Sequence, residues 1–129
     1  MNRRKAREQV FFILFEKEFG ADADYKELLL EFYKEKGADK DEYMDAVVGY
    51  LGDSMGEIDG IIKKNLVNWD FGRISRVNLS LLRLAACEIV YMGLPVNIAA
   101  NEAVELAKKY GDEKSPSFVN GVIANIKAV

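Results

Sequence analysis

The sequence has no histidine, one cysteine and only two prolines among 129 residues. Each shortage excludes a class of protein. Without histidine there is no Ser–His or Cys–His nucleophile pair, and no base whose ordinary pKa lies near neutrality. One cysteine cannot close an internal disulfide, which sets the expectation of a reducing, cytoplasmic setting. Zinc sites draw on Cys and His in numbers, and Cys87 alone supplies none; it reads as a small buried hydrophobe. No apolar run approaches the ~18 residues of a membrane span. Glu8, Glu16 and Glu18 break up the stretch after the basic start, which argues against a signal peptide. Asp22–Asp24 and Asp39–Asp41 open like calcium loops, but the required glycine and closing glutamate are misplaced. Gly49, Gly52 and Gly56 match neither phosphate-loop spacing. The expectation is a non-enzymatic protein with no catalytic residue, no metal and no cofactor.

What is present is 50% apolar and 30% charged. The length suits one domain, residues 1–129, able to bury roughly 65–70% of its unfolded surface without staples. The net charge of −3 hides a pattern. Residues 1–7 carry Arg3, Arg4, Lys5 and Arg7 with no acid, residues 9–59 sum to −9, and residues 60–129 to +3. A cationic tip on an acidic body can seek a polyanion by itself.

The apolar spacing is helical almost throughout, with no sustained period of two. A first helix is predicted from Asn2, a good cap, to Gly20; its band from Val10 to Phe15 plus Phe19 is apolar nearly all round and predicts a central place. A second is predicted over 24–36, ended by Gly37. Asp39 three before Glu42 resembles a capping box for a third that keeps helical spacing through Leu66. Gly52, Gly56 and Gly60 lie along one stripe of it, so either another helix approaches closely there or the segment breaks. One long, kinked helix is the reading taken. Trp69–Gly72 forms a linker and a subdomain boundary, giving units of about 1–70 and 71–129. A fourth helix is predicted over 75–92 and a fifth over 98–110. A last one has Ser115 as cap and Pro116 at its first position, and buries Val119, Val122, Ile123 and Ile126. The fold class is all-α, a bundle of six to seven helices in two three-helix subdomains.

Two features carry binding chemistry. Arg3, Arg4, Lys5 and Arg7 crowd a helix N-terminus, where cations oppose the macrodipole, so helix stability alone does not select them. Their heads are expected in solvent, matched to phosphate; the plainer alternative is a solubilising start. Four such contacts give a salt slope of only about −3 on a single strand, so a second contact is needed. Phe118, in the first turn of the last helix, is either a stacker for an unpaired base or a core anchor. Asn101, Glu102 and Asn120 read most simply as buried interhelical hydrogen bonders, and Glu88 as a residue at a subdomain or partner surface.

Several stretches then resemble the NusB family of bacterial transcription antitermination factors. They are Ile74 to Val90, centred on Leu82–Arg83–Leu84–Ala85 and Glu88; Leu94–Pro95 with Asn101–Glu102–Ala103–Val104; and Phe118–Val119–Asn120–Gly121–Val122. The basic Arg3 to Glu8 and Asp59–Gly60 fit as well. The resemblance spans the chain and is strongest after residue 74. It implies two packed three-helix subdomains. It also implies pairing with the small-subunit ribosomal protein NusE, joint binding of boxA RNA on ribosomal RNA leaders, and entry into an RNA polymerase antitermination complex. By matched position Arg3, Arg4, Lys5 and Arg7 would form the RNA arm and Phe118 a base contact, with Lys114 and Arg83 as further RNA candidates. The partner surface would map near Phe15, Asn78, Arg83 and Glu88. The family often has an acid near Asn78 and a tyrosine near Phe15, so that contact departs here in charge and hydroxyl. Lys5 for arginine keeps the charge and loses a fork. Homodimers occur in the family, and an apolar first helix keeps self-association open. The alternatives are an RNA-docking module like the N-terminal domain of ribosomal RNA cytosine methyltransferases, although no cofactor-binding domain comes after it in the sequence, and a protein-only helical scaffold.

Overall fold

Most of the helices begin where a side chain satisfies their free N–H groups. In the computed structural model, which describes residues 1–127, α1 (Arg3–Glu18) is capped by Asn2, whose side chain accepts from the Lys5 N–H at 2.8 Å. Asp24 likewise accepts from the Glu27 N–H at 2.9 Å to start α2 (Tyr25–Lys36). The cap of α3 (Glu42–Lys64) is Asp41, two residues later than the expected Asp39. Tyr33 decides this: its hydroxyl accepts from the Asp41 N–H at 3.0 Å and donates to Asp45 at 2.8 Å, fixing Asp41 at the helix mouth. A 3-10 turn, Phe71–Arg73, lies in the connection to α4 (Arg76–Met92), which Ser75 caps. α5 (Val96–Tyr110) starts directly after Pro95.

α6 (Ser115–Ile123) is capped differently from expectation. Asp112 accepts from the Lys114 and Ser115 N–H groups at 2.9 and 3.1 Å, while the buried Ser115 hydroxyl accepts from the Asp112 N–H at 3.1 Å. Gly111 makes this turn possible, since a Cβ there would lie 2.4 Å from the Ser115 hydroxyl oxygen.

The centre of the bundle is α4, not α1. Leu79 to Ile89 of α4 are buried without interruption, and the helix packs on α1, α3, α5 and α6. Ala85, Ala86 and Cys87 let neighbours come close. Helix α1 lies at the side, and its apolar band is only partly covered: Phe12 is 37% and Phe19 61% exposed. Apolar content all round a helix signals surface in need of cover, and here part of that surface stays open. A continuous core draws on all six α-helices of the described residues. The expected boundary near residue 70 falls in the α3–α4 connection; Ala128 and Val129, part of the expected 71–129 unit, lie outside the described residues.

Helix α3 is one element with a kink at Ser54 (φ −129°, ψ 24°). Along its glycine stripe only Gly52 has a neighbour, a Cβ there meeting the Tyr25 Cβ of α2 at an ordinary 4.0 Å, whereas a Cβ on Gly56 or Gly60 would meet nothing within 4 Å. Both glycines only loosen the helix. Gly56→Ala and Gly60→Ala are each expected to raise stability by about 0.5–1 kcal/mol, read from urea melts. A loss in either variant would mean that the stripe is occupied after all. No described helix is long and apolar enough to cross a membrane.

Candidate nucleic-acid interface

Side chains of α1 meet those of α5, and the start of α1 divides its four cations by direction. Lys5 is exposed, with no ion-pair partner among the described residues. Arg4 is exposed as well and its Nε donates to both Glu102 oxygens at 3.3 Å. The Arg3 guanidinium lies over the Tyr43 ring, 4.4 Å from its centroid, a cation–π contact that leaves the residue exposed. One turn on, Glu8 accepts from Lys109 at 2.6 Å and from the Tyr110 hydroxyl at 2.8 Å. The Lys109 bond, against the opposing effect of burial and with help from Tyr110, holds the Glu8 carboxyl below its ordinary pKa. Between the two helices lies a groove of about 380 Å³ lined by Arg4, Lys5, Glu102 and Lys109.

Arg7 does not belong to this exposed set. It is buried, and its Nε and Nη2 donate to the two Glu88 oxygens at 2.8 and 2.9 Å in a bidentate pair. Burial alone would lower the pKa of this guanidinium, but the Glu88 hydrogen bond and charge hold it above the ordinary value. Buried Tyr43 closes the pair from α3, its own pKa raised by burial and then by the Glu88 charge. The expectation of a solvated Arg7 fails because the helix repeat turns position 7 inward onto α4, where Glu88 waits. The same pair withdraws Glu88 from any partner surface.

Arg83 is corrected in both of its expected roles. Its guanidinium donates to Asp59 at 2.8 and 3.0 Å and to Glu18, tying α4 to α3 and α1. With one N–H of each nitrogen held by two acids and only 8% of the residue exposed, Arg83 presents little of its fork to phosphate or a partner. Asn101 and Asn120 are exposed rather than buried hydrogen bonders, whereas Glu102 is half-buried and bound to Arg4. Cys87 is buried, which pushes its thiol up to about 12, as a structural cysteine requires.

The remaining expected residues sit at the surface. Lys114 is exposed at the start of α6, and Phe118, one turn in, is half-buried against Trp69, with ring centroids 5.3 Å apart. Phe118 therefore is neither sealed in the core nor free. The groove at Phe118 shares no lining residue with the groove at the arm. Phe15 is half-buried within an aromatic run on α1, 4.7 Å from Phe19 between centroids, and Arg76 of α4 stacks over Phe19 at 4.6 Å. Asn78 is half-buried, and its Oδ1 has no hydrogen-bond partner among the described residues.

A family model described as the NusB family matches residues 4–128. The chain belongs to the NusB family. It is 40% identical over 128 residues to the transcription antitermination protein NusB of Bacillus mycoides (strain KBAB4), covering 98% of each chain. It is 42% identical over 130 residues to the NusB of Listeria monocytogenes serotype 4a (strain HCC23), covering 98% of this chain and 96% of that one. Among solved structures it resembles T. maritima NusB with a TM-score of 0.88 and 35% identity, over 98% of this chain and 90% of that one. It also resembles a chain in the crystal structure of antitermination factors NusB and NusE in complex with dsRNA, with a TM-score of 0.83 and 31% identity, over 96% and 94% of the two chains.

Within this NusB fold, sequence reasoning missed three residues that shape the candidate interface. Tyr43 reads as one more apolar position of α3, yet it carries Arg3 and packs on the Arg7–Glu88 pair. Trp69 reads as linker. Nothing in the local sequence distinguishes Lys109 from Lys108, and only the helical phase against Glu8 sets it apart. No spacing signal could have found the first two, because both act across elements far apart in sequence.

Proposed function

We propose that this protein is a transcription antitermination factor that binds boxA-type single-stranded RNA together with NusE and joins the RNA polymerase antitermination complex. What supports the RNA and the NusE of this reading most is the match along nearly the whole chain to a NusB crystallised with NusE and dsRNA; the unpaired strand is argued from the ring of Phe118. Arg3, Arg4 and Lys5 hold the strand's phosphates, Lys114 adds a further charge, and Phe118 lines the base contact. Phe15, with Phe12, Phe19 and Asn78, faces the protein partner. Arg7, Arg83 and Glu88 hold the bundle together and touch neither. The affinity of a short basic arm is small alone, and a second polypeptide raises it by holding the strand in reach.

The test is co-purification with the small-subunit ribosomal protein, then gel shift on a uracil-rich single strand with and without it. Tighter RNA binding by the pair than by either protein is expected; absence of a complex overturns the proposal. Glu102 competes with phosphate for Arg4, since the carboxylate already occupies that guanidinium. Glu102→Gln is expected to strengthen low-salt RNA binding about two- to fivefold, the range of an exposed ion pair, by filter binding. Unchanged affinity would remove Arg4 from the contact.

A further inference from the structure

Trp69 is the sole tryptophan of the sequence, and the fold leaves it 52% exposed beside Phe118. The two rings are tilted by 49° with centroids 5.3 Å apart, so they support one another without closing the Trp69 surface. They line a groove of about 280 Å³ whose other walls include Asn65 and Leu66 at the end of α3 and Ser117 and Asn125 at α6. No charged residue among those described lines it. A phosphate has nothing to bind there, whereas an uncharged aromatic heterocycle does.

The rim has a defined polarity. The Asn65 Nδ2 donates to the Ile61 carbonyl at 2.8 Å, and the Asn125 Nδ2 to the Gly121 carbonyl at 3.2 Å. Neither amide oxygen has a partner among the described residues. Each therefore offers an acceptor to the N–H edge of a base. Lys114 stands exposed one turn before Phe118, placed for the phosphate beside such a base.

We propose that the Trp69 ring, backed by Phe118, is the stacking platform for one unpaired nucleobase, with Asn65 and Asn125 accepting hydrogen bonds from its edge. This rests on the RNA-binding reading and adds to it a ring from the α3–α4 loop. The site takes the base, and the arm, whose groove is separate, takes backbone.

The single tryptophan makes its own reporter. The full chain is titrated at low salt with a uracil-rich single-stranded oligoribonucleotide, and with a strand of equal length carrying abasic sites. Binding is monitored by anisotropy of a label on the strand and by tryptophan emission. Saturable quenching by the first strand and none by the second is expected. Trp69→Ala is expected to weaken binding of the intact strand on the order of tenfold and Trp69→Phe by less than about threefold, with melting temperatures measured for both. Strand binding with unaltered emission, or equal affinity in a folded Trp69→Ala protein, overturns the platform and leaves the RNA reading standing. Failure to bind either strand by the chain both alone and paired with the small-subunit ribosomal protein removes both.

Discussion

Replacing Glu88 with alanine is expected to cost about 3–5 kcal/mol of folding stability, because it takes both short hydrogen bonds from a buried guanidinium and leaves it only Glu102, 3.6 Å away and shared with Arg4. The side chains of Arg7 and Glu88 are 6% and 4% exposed, so water cannot take over the lost bonds. For a chain of this size the melting temperature is expected to fall on the order of 10 °C or more, checked by calorimetry or circular dichroism. Arg7→Ala is expected to do comparable damage, leaving the carboxylate stranded instead. The double change Arg7→Met with Glu88→Leu is expected to recover much of the loss, since well-packed apolar residues replace buried ion pairs at little cost. A Glu88→Ala protein that melts like the parent would show the pair to be open to water. The result separates Arg7 from its three basic neighbours.

Changing those three together, Arg3, Arg4 and Lys5 to Ala, is expected to leave folding nearly intact and to remove most of the electrostatic RNA affinity. Surface changes of this kind move stability by about 0.5 kcal/mol each or less, and removing cations from a helix N-terminus relieves an unfavourable dipole contact. Three lost phosphate contacts on a single strand lower the slope of log K against log salt by about two. Anisotropy titrations from 50 to 300 mM salt, on the order of the usual working range, read that slope directly. An unchanged slope would take the arm out of the mechanism.

Helix positions were largely legible because caps and stops are local. Asn2, Asp24, Ser75, Gly37 and Gly93 all act within five residues of themselves, and each stands at its helix end. The cap of α3 marks the limit of such rules. Asp39 and Asp41 are locally equivalent, and only the hydroxyl of Tyr33, eight residues upstream of Asp41, separates them. The same distinction governs the site. That Arg3 to Arg7 form a basic cluster is written in the sequence; which heads reach water is not. The answer lies in the carboxylates of Glu88 and Glu102, 81 and 98 residues away from Arg7 and Arg4. Arg83 fails for the same reason, its acids being on α1 and α3. Charge is a local property, and its availability is a tertiary one.

The Asn2 cap has a geometric sequel. It makes the chain helical from Arg3 onward, so consecutive side chains leave the axis about 100° apart. The three exposed heads thus fan around the rod's tip instead of lining one edge. A polymer that meets all three at once must curl about that tip within a few nucleotides. A pliant unpaired strand makes such a bend readily, while a duplex, stiff over on the order of 150 base pairs, touches only part of the fan.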